Sequence, residues 1–148
     1  MNFVLIILMM INMTRSGIAP ALAIDPVLTQ HAEVRAEYLC ATMTSRLTDA
    51  DHAGWMSRKF WNYSDMPYNY YGENIEQAYT AAAYNPWTTE MALWKSPAHY
   101  ANMVSTNFDH VGIYTDPDCR LTVEEFGGQP GDYNDSSIPE IPSHLNAD

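Results

Sequence analysis

The chain has 148 residues, 47% of them hydrophobic and 17% charged, which is enough for one compact domain and too few for two. Seven Lys and Arg against 18 Asp and Glu give a net charge of -11, which argues against a phosphate-neutralising surface, and so against nucleic acid or an anionic membrane as partner. Two cysteines are too few for a disulfide-dense miniprotein and lack the spacing of a zinc site or redox pair, so at most one bridge can form.

Residues 3–13 form an apolar run interrupted only by Asn12, too short to span a bilayer, and Ala21-Leu22-Ala23 follows as a small-x-small sequence. This pattern predicts a signal peptide over residues 1–23, cut after Ala23, with no stable membrane span left afterwards and a secreted, extracellular product. No Lys or Arg precedes the run, and Arg15 lies on its far side. Secretion permits a disulfide, and with only two cysteines the prediction is a Cys40–Cys119 bridge.

Asp25-Pro26 reads as an N-cap followed by proline at the first helical position, and Val27, Leu28, Val34, Tyr38 and Leu39 recur at helical spacing, predicting a helix over 26–43. Thr48 and Asp51 resemble a capping box ahead of Ala53, Met56 and Phe60, predicting a second helix over 49–60. Residues 61–71 carry Asn, Ser, Asp, Pro and four Tyr without a period and read as an aromatic-rich loop of the kind that borders clefts. Met91 and Trp94 place a third helix over 88–95, beyond Asn85-Pro86, and Ser96-Pro97 starts a short fourth over 97–104. Residues 111–115 and 121–126 are strand-like and joined by Asp116-Pro117-Asp118-Cys119-Arg120, which predicts a β-hairpin. The expected domain covers 24–128, and residues 129–148, rich in glycine, proline and acids, read as a mobile acidic tail.

The ionisable residues able to meet in a cleft are His52, Glu73, Glu90, His99 and His110. His99 sits in the first turn of the fourth helix, where the helix dipole disfavours the protonated ring. Glu73 follows a glycine that closes the Tyr-rich loop, where backbone donors in a turn can fix its carboxylate. Glu90, one turn from Trp94, reads as a surface acid, His52 as a boundary residue and His110 as structural. Asn62-Tyr63-Ser64 and Asn134-Asp135-Ser136 have the form of glycosylation acceptors, to be occupied only if a eukaryote secretes the chain.

Gly72-Glu73-Asn74-Ile75, then Trp94-Lys95-Ser96-Pro97-Ala98-His99-Tyr100-Ala101-Asn102-Met103, then Phe108-Asp109-His110-Val111-Gly112-Ile113, in that order and spacing, resemble the CAP superfamily of cysteine-rich secretory, antigen 5 and pathogenesis-related proteins, also called SCP domains. The tryptophan, Ser-Pro and His-x-x-Asn arrangement is closer to bacterial-type members. His31-Ala32-Glu33-Val34-Arg35 is similar to the family's His-Asn-x-x-Arg helix, with Ala32 for Asn, and Phe126-Gly127 resembles the end of its closing strand. The resemblance implies an α+β fold, an α-β-α sandwich with a small antiparallel sheet between helical layers. It also implies a cleft whose best-equipped members carry two His and two Glu.

Carried over by position, Glu73 and His99 match two of those four residues, while Asn62 stands where the first His belongs and Pro97 where the second Glu belongs. An amide is neither a base nor a good metal ligand, so the expectation is a non-enzymatic, monomeric binding module without a cofactor. Its lipid, sterol or other extracellular ligand is expected in an aromatic-rich cleft formed by Glu73, His99, Asn62, Tyr71 and Trp94. The competing expectation is a protease-like, metal-dependent hydrolase using Glu73 and His99 as catalytic or metal-binding groups.

Overall fold

A computed structural model of the chain describes residues 2–43, 46–47 and 68–130. The second expected helix with His52, the position of Asn62, both glycosylation sequons and residues 131–148 lie outside the described residues.

Helix α1 (Phe3–Arg15) begins at Asn2, whose side chain accepts a hydrogen bond from the Val4 amide at 2.9 Å. Ile7 and Ile11, one turn apart, are fully buried against Leu93, Met103, Val111 and Phe126. Arg15 closes the helix from inside the domain. Its buried guanidinium donates to the carbonyls of Pro20, Met103, Ser105 and Phe108 at 2.7 to 2.9 Å. The half-buried Asn12 donates to the Leu22 carbonyl at 3.1 Å and accepts from the Leu22 amide at 2.7 Å. The stretch expected to leave as a signal peptide therefore supplies part of the core. Its apolar period fits a leader and a buried helix equally well, and in the full chain Asn12 and Arg15 bond inward. No helix among the described residues is long and apolar enough to cross a membrane.

Strand β1 (Ala23–Ile24) leads into helix α2 (Pro26–Thr42), whose cap Asp25 accepts from the amides of Val27 and Leu28 at 2.7 and 3.0 Å. Strand β2 (Tyr68–Gln77), helices α3 (Pro86–Lys95) and α4 (Pro97–Val104), and strands β3 (His110–Asp116) and β4 (Leu121–Pro130) complete the order. The sheet runs β1-β3-β4-β2, with β4 antiparallel to both β2 and β3 and β1 parallel to β3. It is therefore mixed, where a purely antiparallel sheet was expected. Alternation along the strands separates two layers. Ile75, Leu121 and Val123 pack on Ala32, Ala36 and Leu39 of α2, whereas Val111, Ile113 and Phe126 pack on α1, α3 and α4. This is the α-β-α sandwich.

The hairpin, α2 and α4 form where the sequence placed them, and α3 starts two residues earlier, at Pro86. Residues 68–71 are a correction: they are strand, and Gly72-Glu73-Asn74 lies mid-strand, paired with Phe126, Glu125 and Glu124 of β4. Residues 71–77 are buried throughout, so the period of two that marks a half-exposed strand is missing there. Strand β4 likewise continues to Pro130, past the expected end of the domain.

Gly112 explains how closely α2 approaches the sheet, since a Cβ there would lie 2.0 Å from the Leu28 carbonyl carbon. At the other end of α2, Cys40 and Cys119 form the expected disulfide, with Cα atoms 5.7 Å apart and a separation of 79 positions in sequence. Closing a loop of that length stabilises the fold by about 4 kcal/mol in the chain-entropy model. Replacing both cysteines by alanine is expected to lower the unfolding free energy by that order, read as a fall in urea midpoint with a steeper slope, because the unfolded chain is no longer cross-linked.

Candidate functional site

Glu73 and His99 are both buried, on β2 and in the first turn of α4. The Glu73 carboxylate faces the α2 layer, where Arg35 donates to it from Nε at 3.2 Å to Oε2 and from Nη2 at 3.2 Å to Oε1. Asn74, the next residue on the strand, projects to the opposite layer, where its amide donates to the backbone carbonyl of His99 at 3.2 Å. The sheet thus stands between the Glu73 carboxylate and the helix that carries His99. Asn102, one turn beyond His99, donates to the Glu73 carbonyl and to the Asn74 side chain at 3.1 and 3.0 Å. The Gly-Glu-Asn and His-x-x-Asn sequences therefore join β2 to α4 through their asparagines. Arg35→Ala is expected to cost about 3 to 5 kcal/mol, because it leaves the Glu73 carboxylate buried without its counter-ion, and thermal denaturation measures it.

The other expected cleft residues are dispersed. Tyr71 is buried, and its hydroxyl accepts from the Tyr68 amide at 2.8 Å. Trp94 lies on the outer surface of α3, edge-on to Tyr100 with ring centroids 6.1 Å apart. His110 opens β3, its Nδ1 2.7 Å from Asp109 Oδ1 and its ring 5.2 Å from that of Tyr68. The Tyr68 hydroxyl in turn donates to Asp25 at 2.5 Å. Burial and the Asp25 contact raise the Tyr68 hydroxyl above its usual range. At Asp25 burial is outweighed by the hydrogen bonds from Tyr68, Leu28 and Val27, which with His110 nearby hold its carboxyl below the usual range.

Two further acids lie in the layer of α1, α3 and α4. Glu90, expected on the surface, is 1% exposed, and Glu124 of β4 is fully buried. None of their four carboxylate oxygens has a hydrogen-bond partner among the described residues. Burial raises the Glu90 carboxyl to about 8. Glu124 lies well above its ordinary range, first through burial and then through the charge of Glu90. Glu124 was not a sequence candidate, yet a signal existed. Glu124-Glu125 inside a strand-like run must send one carboxylate to each face of a covered sheet.

Outside this pair, between α1 and α3, runs a groove of about 230 Å³ lined by Met10, Met13, Thr14, Trp87, Glu90, Met91 and Trp94. Its walls are two exposed apolar stripes. Met13 is 69% exposed on α1, and Trp87, Met91 and Trp94 are 53%, 44% and 48% exposed on α3. Among the described residues, the one cluster with metal-ligand proximity is Asp116 with the disulfide-bonded Cys40 and Cys119, whose sulfurs are already committed to each other.

A family model described as "Cysteine-rich secretory protein family", CAP, matches residues 14–124. Among solved structures, an outer surface protein from Borrelia burgdorferi is 22% identical with a TM-score of 0.62, over 85% of this chain and 92% of that one. A cysteine-rich secretory protein from Staphylococcus aureus is 14% identical with a TM-score of 0.59, over 83% of this chain and 37% of that one. An extracellular protein containing a SCP domain from Bacillus anthracis is 16% identical with a TM-score of 0.56, over 83% of this chain and 39% of that one. At these identities the likeness is one of fold. The comparison with curated proteins found no match.

Proposed function

The chain belongs to the cysteine-rich secretory protein (CAP) family, and from that premise we propose that it is an extracellular, non-enzymatic binding protein that holds an apolar ligand, lipid or sterol in class, in the groove between α1 and α3. The observation that carries this reading is the groove itself: methionine and tryptophan side chains that stay exposed around a concave space. Methionine adapts to irregular apolar shapes and tryptophan supplies large contact area, which is the wall composition such a ligand needs. Two neighbours in fold, an outer surface protein and an extracellular one, together with the Cys40–Cys119 bridge, support an extracellular location. We further propose that α1 stays in the mature chain, since it supplies one wall of the groove.

A hydrolytic reading requires Glu73 and His99 to act on one substrate atom or one metal ion, and the Arg35 ion pair on the far side of the sheet opposes that. Two experiments test the proposal. Ligands extracted from the purified protein are identified by mass spectrometry, and binding of a neutral fluorescent apolar probe is compared between the natural chain and Met91→Asp. The expected result is an apolar ligand and at least a tenfold loss of probe affinity in the variant. Tight one-to-one zinc binding in calorimetry, abolished by His99→Ala, would favour the hydrolase instead.

A further inference from the structure

We propose that Glu90 and Glu124 form a proton-operated latch for the α1–α3 groove: the protonated pair keeps α3 seated on the sheet with the groove formed, and loss of the proton releases α3 and dismantles the groove. The proposal rests on the groove being the ligand site.

The geometry that supports it is the double role of Glu90. Glu90 lines the groove, while both its carboxylate oxygens are buried without a partner among the described residues. Glu124, on the central strand β4, is equally sealed and equally unpartnered among the described residues, and the charge of Glu90 acts on it. Two buried carboxyl groups, one of which feels the charge of the other, cannot both ionise cheaply, since each ion would lose its hydration and repel its neighbour. The titratable or charged side chains brought to this layer are few. Arg15 of α1 is committed to four backbone carbonyls, His99 comes from α4, Glu76 from β2, and Lys95 ends α3 itself. Ionised, the pair needs water. Glu90 lines the groove, so a shift of α3 away from α1 admits water to it. Any displacement of α3 that hydrates Glu90 also separates Trp87, Met91 and Trp94 from Met10 and Met13. The proton count is simple: one proton leaves a carboxyl for bulk solvent, and no other group changes.

The test uses the full chain and the neutral probe N-phenyl-1-naphthylamine, whose own charge does not change across the range studied. Its affinity is expected to stay constant from pH 5 to 7 and to fall at least tenfold by pH 9, and the double variant Glu90→Gln/Glu124→Gln, which has no carboxyl proton to lose there, is expected to hold at pH 9 the affinity it shows at pH 6. A second readout needs no ligand. Amide exchange in α3, corrected for intrinsic rates, is expected to accelerate above pH 8 in the natural chain and less so in the variant. If the probe binds at no pH while α3 exchange keeps this dependence, the ligand reading fails and the latch stands. If exchange in α3 is indifferent to pH, the latch is overturned. Carboxyl carbon resonances of the natural chain decide the matter even if the variant does not fold, because midpoints near 4 to 5 for both glutamates overturn the proposal.

Discussion

A chain that begins at Ile24 is expected not to fold at 25 °C. Removing the first 23 residues takes out Ile7, Ile11 and Leu22, three members of the core cluster beneath the sheet, each contributing about 1.5 to 3 kcal/mol by burial. It also takes out Arg15, and with it the donor for the carbonyls of Met103, Ser105 and Phe108. A buried acceptor left without a donor costs about 1 to 3 kcal/mol. The sum reaches the whole stability of an ordinary domain, about 5 to 15 kcal/mol. The measurement is far-ultraviolet circular dichroism with urea titration on the truncated and full chains. A cooperative transition in the truncated chain, at a midpoint near that of the full one, would show that α1 is dispensable to the fold. Arg15→Met separates the two contributions, since it keeps the helix and much of the packing volume but removes the donors. It is expected to lower stability by several kcal/mol.

The layers of the sandwich were legible wherever local chemistry marks an element. Proline after a capping residue set the starts of α2 and α4 at Asp25-Pro26 and Ser96-Pro97, and β-branched alternation set β3 and β4. Strand β2 was hidden because residues 71–77 are all buried, so partner strands and not periodicity determine its conformation. The site was less legible, for a related reason. The Gly-Glu-Asn and Ser-Pro-x-His sequences lie close together in the fold, but alternation along β2 sends Glu73 to Arg35 and Asn74 to the helix of His99. A motif gives proximity along the backbone; the face of the sheet decides which side chains meet. Glu90 was read as a surface acid because acids usually are. Its burial depends on α3 packing over the sheet, an arrangement of segments far apart in sequence that no local pattern reports.

The stability of the full chain is expected to fall as the pH rises from about 5 to 8, opposite to the behaviour of a protein held by salt-bridged carboxylates. Glu90 titrates near 8 in the folded chain, through burial, and near the ordinary carboxylate value when unfolded. Between those values the folded state carries a proton that the unfolded state has released, so raising the pH favours unfolding. Each such group contributes a slope of up to about 1.4 kcal/mol per pH unit, and Glu124, raised by burial and by Glu90, adds to it. Asp25 works in the reverse sense: its carboxyl is held low, so its contribution is present above the ordinary range and is lost as the pH falls through its folded value. The acid limb of the stability profile therefore reports Asp25 and the neutral-to-alkaline limb reports the buried pair. Urea denaturation at half-unit steps from pH 3 to 9 resolves the two. Glu90→Gln and Glu124→Gln put an uncharged group of similar shape in place of the protonated acid, and each is expected to flatten the upper limb and to raise stability at pH 8 by about 2 kcal/mol or more. Asp25→Asn is expected to leave the upper limb unchanged and to flatten the lower one. An upper limb equally steep in both glutamine variants would show that neither glutamate holds its proton in the folded chain.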